Sequence, residues 1–342
     1  MTSDAEDKDN SASRRPAVHI LDVGHGNTTL VTGDGSTTLI DIAPSVTVLT
    51  VLREWTIQQI DEVLISHSDE DHVGGLIQLL MQLDVRLGTV YANTDTLQRS
   101  SKWRSVRMAL GDARKRGVAK VRPDLSRGVA IGTGHSVFTL EVLSPAGEDA
   151  LGGPGETDSR NRVMNTNTLS SVVRVLVAKK PLVLLAGDID RKGLDQLLEN
   201  EPHPTAPILV FPHHGGLPGG RDAREFAQRL TQAVDPKVVI FSLGRRFKNP
   251  LPDIVAGVRA GANHARIMCT QLSTRCAPSR RLIPPRTSSI YLAAGAANGE
   301  CCAGNISIFP TKTSYDITPS IADHSLVIDR EATTPLCRME FR

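Results

Sequence analysis

No stretch of the sequence approaches the roughly 18–20 uninterrupted apolar residues that a membrane-spanning helix requires, so no membrane partner is expected. The N-terminus also lacks a basic segment running into an apolar core. That predicts no signal peptide, a cytoplasmic location and a stand-alone protein unable to move a substrate across a membrane. Paired CxxC spacing is missing. The cysteines (Cys269, Cys276, Cys301, Cys302 and Cys337) are odd in number and crowded toward the C-terminus, which suits reduced packing thiols better than a structural zinc site. There is no internal repeat. Nor is there a large excess of either charge: the net charge is only +2, so any nucleic-acid footprint must be local. What remains is a chain of 342 residues, 40% apolar and 22% charged, enough for one large globular domain with or without an appendage.

The most informative stretch is Ile65-Ser66-His67-Ser68-Asp69-Glu70-Asp71-His72-Val73-Gly74-Gly75. It follows an apolar run and sets histidines and carboxylates within six positions, so a strand end delivers several lone pairs to one place. Imidazole suits zinc or manganese and carboxylate suits harder divalent ions, which points to a metal. An ordinary acidic helix start would explain the acids, but not His67, His72 or the glycine pair that lets a helix pack closely behind. Two later apolar runs repeat the design. Leu182–Ala186 ends in Gly187-Asp188, and Pro207–Pro212 ends in His213-His214-Gly215-Gly216. Strand ends gathered at one edge of a sheet are a usual place for function.

In chain order, residues 1–16 are polar and aperiodic and are expected to be disordered. Strands are expected at 17–23, 28–32, 38–42, 61–66, 85–91, 137–143, 171–177 and 238–243, with helices at 46–59 and 76–83. This alternation predicts an α/β layered fold. Between 98 and 127, Arg99, Lys102, Arg104, Arg107, Arg114, Lys115, Arg116, Lys120, Arg122 and Arg127 face only Asp112 and Asp124. Trp103, Val106, Leu110 and Ala113 recur there at helical spacing, so one face of a helix is apolar and the rest basic. Such a face is either ordinary solvated surface or a phosphate-backbone contact. Residues 147–161 read as a Gly-rich polar loop. Short strands are expected at 289–292, 305–309 and 326–329.

The His67-x-Asp69-x-Asp71-His72 pattern resembles the HxHxDH signature of the metallo-β-lactamase fold, with Asp69 in place of the middle histidine. With Gly74-Gly75 behind it, the variant is similar to the metallo-hydrolase domain of the ComEC family of DNA-uptake proteins. Further likenesses are Leu21-Asp22-Val23-Gly24-His25-Gly26, with His25 where glutamine is common, Asn167-x-x-Ser170, Gly187-Asp188 and His213-His214-Gly215. They cover about residues 18–265. The resemblance implies an α/β fold of the αββα metallo-β-lactamase sandwich type over 17–280, followed by a small β-rich C-terminal extension over 281–342.

It also implies a cofactor of two divalent metal ions, Zn or Mn. The expected ligands are His67 and Asp69 on one ion and Asp71, His72 and His214 on the other, with Asp188 bridging. Asp71 and His213 are the expected catalytic residues, His213 being free to contact a scissile phosphate, although the order of His213 and His214 stays open. Asp22, Asp41 and Asn167 are expected to brace the site by hydrogen bonds. Because Asp69 replaces an imidazole, manganese should be well accepted. Candidate substrate contacts are Arg107, Arg114, Lys115, Arg245, Arg246 and Lys248, together with Asn249, which stands where the family carries a histidine.

The implied activity is that of a phosphodiesterase or nuclease acting on DNA or RNA. A hydrolase of a small cyclic or signalling nucleotide is an alternative that would leave the basic helix without a role. A non-catalytic nucleic-acid-binding module is another, suggested by Asn249 and opposed by Asp188, His213 and His214.

Overall fold

A computed structural model describes residues 15–82, 84–93, 100–220, 222–278 and 292–338. Strands β1 (Ala17–Ile20), β2 (Thr29–Gly33) and β3 (Ser36–Ile40) form an antiparallel meander. The β2–β3 turn is Asp34-Gly35, both with positive φ (44° and 83°), as a two-residue hairpin turn matched to strand twist requires. Helix α1 (Val46–Glu54), capped by Ser45, crosses to β4 (Gln59–Ile65), which lies parallel to β3. Two short helices, α2 (Glu70–Val73) and α3 (Leu76–Leu80), lead to β5 (Arg86–Ala92). Helix α4 (Ser101–Lys115) then returns the chain to β6 (Lys120–Arg122).

The second sheet begins with β7 (Phe138–Ser144), followed by α5 (Gly147–Gly152), β8 (Val172–Val177) and β9 (Lys180–Leu185). It continues through α6 (Arg191–Asn200), β10 (Ile208–Val210), α7 (Ala223–Val234), β11 (Val238–Phe241), α8 (Pro252–Gly261) and β12 (Arg266–Cys269). The chain then rejoins the first sheet through β13 (Ile306–Pro310) and β14 (Tyr315–Thr318), before α9 (Ile321–Glu331). Strand order is β14-β13-β1-β2-β3-β4-β5-β6 in one sheet and β12-β11-β10-β9-β8-β7 in the other.

The two sheets pack face to face over a core drawn from both, with Val18, Ile40 and Leu64 meeting Val175, Leu185, Val210 and Ile240. Outside the first sheet, Leu39, Val63 and Val90 pack on Val48 and Val51 of α1, Leu79 of α3, and Trp103 and Val106 of α4. Outside the second, Leu184, Leu209 and Val239 pack on Leu194 of α6, Phe226 and Leu230 of α7, and Ile254 and Val258 of α8. The layers are therefore αββα. Strands β3 to β5 and β9 to β12 run parallel within their sheets. Each helical crossover carries the chain back, so successive carboxyl ends meet the same rim. The histidine- and carboxylate-bearing loops follow those ends.

Several expectations need correction. The helix expected over 46–59 ends at Glu54, because Thr56 takes a left-handed φ of 55° and Gln59 already belongs to β4. The helix expected over 76–83 stops at Leu80, and Leu83 lies outside the described residues. The polar loop at 147–161 begins as α5. The strand expected at 326–329 is inside α9. Ser320 accepts from the Asp323 N–H as its cap, and the buried His324 and Ile328 keep helical spacing, which overrides the apolar triplet Leu326-Val327-Ile328. The strand at 289–292 and the tail at 1–16 lie outside the described residues, apart from Leu292, Arg15 and Pro16. The strand expected at 305–309 is β13, and it pairs with β1 (Val18 opposite Ile308), covering what would otherwise be an exposed sheet edge.

Candidate metal centre

The site is built outward from Asp41, the residue after β3, whose φ of 57° turns its carboxylate toward the end of β4. There Oδ1 accepts from the Ser66 N–H at 2.7 Å, while Oδ2 accepts from Ser66 Oγ at 2.8 Å and from His72 Nδ1 at 2.7 Å. Helices α2 and α3 can press against this strand end only because position 75 is glycine. A Cβ there would lie 2.5 Å from the Ala43 carbonyl oxygen and 2.6 Å from Ile42. From the other sheet, Ser171 N–H donates to the Ser66 carbonyl at 2.9 Å, and the amide of Asn93, at the end of β5 in the same sheet as β4, donates to that oxygen at 2.6 Å. Ser170 Oγ accepts from the Asp188 N–H at 2.9 Å and lies 3.3 Å from His67 Nδ1. Hydrogen bonds thus fix each ligand-bearing turn before any ion is considered.

Among the described residues, metal-competent atoms converge in two groups, His67 with His72 and Asp188, and His25 with Asp71 and His214. In each, the ligand atoms all lie within 4.8 Å of one another. The grouping differs from expectation in placing His72 beside His67, its Nε2 3.4 Å from Asp188 Oδ1, rather than beside Asp71 and His214. Asp69, at the start of α2, has its carboxylate 3.6 Å from His67 Nε2 and 38% exposed. His25 enters the site without having been singled out as a ligand by the sequence. Asp188 reaches both groups, with Oδ1 3.4 Å from His72 Nε2 and Oδ2 3.8 Å from His214 Nε2, and Oδ2 also lies 3.4 Å from His213 Nδ1 outside them.

The protonation logic of these groups demands positive charge. A carboxylate only accepts, so His72 Nδ1, 2.7 Å from Asp41, must carry the proton. That leaves Nε2 as a lone pair facing another acceptor on Asp188. His214 repeats the pattern, since Nδ1 donates to the Ser242 carbonyl at 2.7 Å and Nε2 faces Asp71 Oδ2 at 3.1 Å. Either each imidazole takes a second proton or a cation serves both partners. With protons alone, burial would depress the His72 pKa, but the charges of Asp188 and Asp41 outweigh it and hold it well above its ordinary value. Burial likewise opposes ionisation of Asp71 and Asp188. The neighbouring imidazoles prevail and hold both carboxyls well below the usual range.

His25 and His213 behave differently. Burial, reinforced for His25 by the His214 charge, pulls the His25 pKa down to about 4, and burial lowers that of His213. The Nε2 atoms of His67, His72 and His213 are buried without a hydrogen-bond partner. His72 is held at Nδ1 by the Asp41 carboxylate and His67 at Nδ1 by the Ser66 hydroxyl (3.0 Å), each with Nε2 free, which is the arrangement that metal-ligating histidines adopt. The residues present fit divalent ions.

His213 and His214 owe their placement to backbone strain. Both occupy left-handed φ (52° and 53°), a conformation costing about 1–2 kcal/mol for a residue with a Cβ. The His213 N–H, donating to Asp188 Oδ1 at 2.8 Å, helps to hold the turn. As a result His214 faces Asp71 while His213 faces Asp188. Asn167, whose side-chain oxygen is buried without a partner, accepts the Ser170 N–H at its carbonyl. Asp22 is fully buried and accepts from Gly24 N–H (3.1 Å), Gln271 Nε2 (2.9 Å) and Gly295 N–H (3.0 Å). It ties the loop before His25 to the C-terminal segment rather than bracing residues 66–72.

Of the expected substrate contacts, Arg107, Arg114, Lys115, Arg246 and Lys248 are exposed and Asn249 is half-buried beside Gly216. Arg245 requires correction. It is buried, its guanidinium donating to the Leu272 and Ala277 carbonyls at 2.5 and 2.6 Å, so it holds loops together instead of facing solvent. Arg245→Ala is therefore expected to cost about 2–4 kcal/mol of stability by stranding those carbonyls. Urea denaturation measures it, and an unchanged midpoint would refute the assignment.

The metallo-beta-lactamase superfamily model matches residues 21–153. The fold is that of the metallo-β-lactamase superfamily. That fold implies divalent metal binding, for which the two His/Asp groups are the candidate positions. Among curated relatives, the chain is 27% identical over 196 residues to ComE operon protein 3 of Bacillus subtilis (strain 168), spanning 57% of this chain and 21% of that protein. Among solved structures it is similar to Igni18, a metallo hydrolase from Ignicoccus hospitalis KIN4/I (18% identity, TM-score 0.44, covering 74% of this chain and 94% of that one). It is also similar to the metallo-beta-lactamase fold protein YhfI from Bacillus subtilis (12% identity, TM-score 0.47, covering 75% and 96%). No helix among the described residues of this metallo-β-lactamase-fold chain is long and apolar enough to cross a membrane.

Proposed function

We propose that the chain is a metal-dependent hydrolase that cleaves phosphodiesters, with nucleic acid as its substrate. The carrying observation is the pair of His/Asp groups joined by Asp188, whose carboxylate faces His72 at 3.4 Å and His214 at 3.8 Å. Two divalent ions, zinc or manganese, held there by His67, His72, Asp188, Asp71 and His214 would supply Lewis acidity and acidify an attacking water, chemistry suited to in-line displacement at phosphorus. Asp188 would fix the spacing of the two positions. His213, oriented by Asp188, offers a partnerless Nε2 at which a proton can be held for the leaving oxygen.

The same fold hosts attack on carbonyl substrates, so the architecture does not choose the substrate. The ComEC-like motif set and the basic surface support phosphodiesters. Helix α4 starts beside the site, where Lys102 pairs with Glu70 at 2.8 Å, and its fifteen residues run about 22 Å outward. Trp103, Val106, Leu110 and Ala113 are its buried face, and the exposure of Arg107, Arg114 and Lys115 supports phosphate-backbone contact there.

Reversing charge at Arg107, Arg114 and Lys115 is expected to weaken polynucleotide binding and to flatten its salt slope by about one unit per lost phosphate contact. Hydrolysis of a small chromogenic phosphodiester should be unchanged. Long-strand binding with the original salt slope would make the helix plain solvated surface, and a small nucleotide would become the better substrate.

A further inference from the structure

We propose that His25 is the third protein ligand of the second metal position, completing a His25–Asp71–His214 triad, and that the Phe247 ring holds it in the ligating orientation. The inference rests on the reading that the site binds divalent ions. It concerns a residue that neither the HxDxDH pattern nor the His-His-Gly turn contains.

The loop carrying His25 is pinned on every side. Asn27 N–H donates to the Asp71 carbonyl at 3.1 Å, and Ser242 Oγ donates to the Gly26 carbonyl at 2.7 Å. Gly24 N–H donates to the buried Asp22 at 3.1 Å. Position 26 must be glycine, because its φ is 124° and a Cβ would lie 2.3 Å from the Asp71 carbonyl oxygen. The backbone of His25 is thereby locked to the helix that presents Asp71 and, through Ser242, to the carbonyl that orients His214.

The ring is fixed as firmly as the backbone. It stacks on Phe247 with centroids 3.6 Å apart and planes 10° apart, and lies 4.6 Å from the His214 ring. Phe247 is itself 55% exposed. An apolar ring left so open to water has a reason to be there if its covered face sets the plane of the imidazole. In that plane His25 Nε2 points at Asp71 Oδ2 across 3.4 Å. Its Nδ1 has no hydrogen-bond partner, so the Phe247 stack takes over the orienting role that an Nδ1 hydrogen bond plays for His72. The result is a two-histidine, one-carboxylate set like that of His67, His72 and Asp188. Three protein ligands with open positions are the pattern of catalytic rather than structural metal sites. Two imidazoles in the set favour cobalt and zinc over manganese.

Cobalt(II) titration of the chelator-stripped protein, followed by its visible absorption and by calorimetry, tests this without any measurement of turnover. The unaltered chain should take up about two equivalents. His25→Ala should keep the first with unchanged affinity and bind the second at least 10–100-fold more weakly. His25→Gln, which offers an oxygen donor, should shift the second position's preference from zinc toward manganese. Phe247→Ala should weaken the second equivalent less than His25→Ala does. Circular dichroism melts of the metal-free variants establish that each is folded. Two equivalents bound by His25→Ala with the original affinities and spectrum would overturn the proposal while leaving the metal-site reading intact. No cobalt bound by the unaltered chain would overturn both.

Discussion

Asp188→Asn is expected to lower phosphodiester hydrolysis by about 10²-fold or more, since charge stabilisation centred on the metals is worth several kcal/mol. Asparagine keeps the shape of the side chain and can still accept the His213 N–H that Asp188 Oδ1 accepts at 2.8 Å. What it removes is the negative charge lying between His72 and His214, at 3.4 and 3.8 Å. One of its faces would also present N–H groups where metal-ligating lone pairs are needed. The loss should fall on turnover at saturating metal for small and long substrates alike, unlike loss of the α4 cations. Near-normal single-turnover rates in this variant would rule out a mechanism that depends on two metals.

Asp41→Ala should be the most damaging substitution for stability, costing about 3–5 kcal/mol. The carboxylate is buried and accepts from Ser66 N–H, Ser66 Oγ and His72 Nδ1, so its removal strands donors that water cannot reach. Metal affinity should fall by about 10–100-fold as His72 loses its orientation. Asp41→Asn, which can still accept from the backbone N–H, should lie between the two. Chemical denaturation of the metal-free proteins isolates the structural share, and a loss below about 1 kcal/mol would mean that other contacts hold the loop.

The ligand-bearing strand ends were legible because buried parallel strands read as unbroken apolar runs. Val63-Leu64-Ile65, Leu182–Leu185 and Ile208–Val210 each stop where a histidine or aspartate follows. The pairing of those side chains was not legible. It depends on the left-handed backbones of Asp41, His213 and His214, which no local pattern announces. Asp69 and His72 illustrate the point. One starts α2 and leaves its carboxylate partly exposed, whereas the other lies one turn later on the buried side facing Asp188. His25 is a lone histidine between glycines, with no spacing to connect it to Asp71. Arg245 reads as a solvated loop charge because the Leu272 and Ala277 carbonyls that bury it come from a distant segment. The alternation at 305–309 showed a strand but not its partner, since β1 lies at the far end of the chain.

Metal analysis combined with reversible chelation decides whether hydrolysis depends on bound ions. The purified protein should carry about two divalent ions per chain. Stripping them should abolish phosphodiester hydrolysis, and restoring zinc or manganese should return it in proportion to occupancy. Full hydrolysis by protein shown to be metal-free would rule out metal-dependent cleavage.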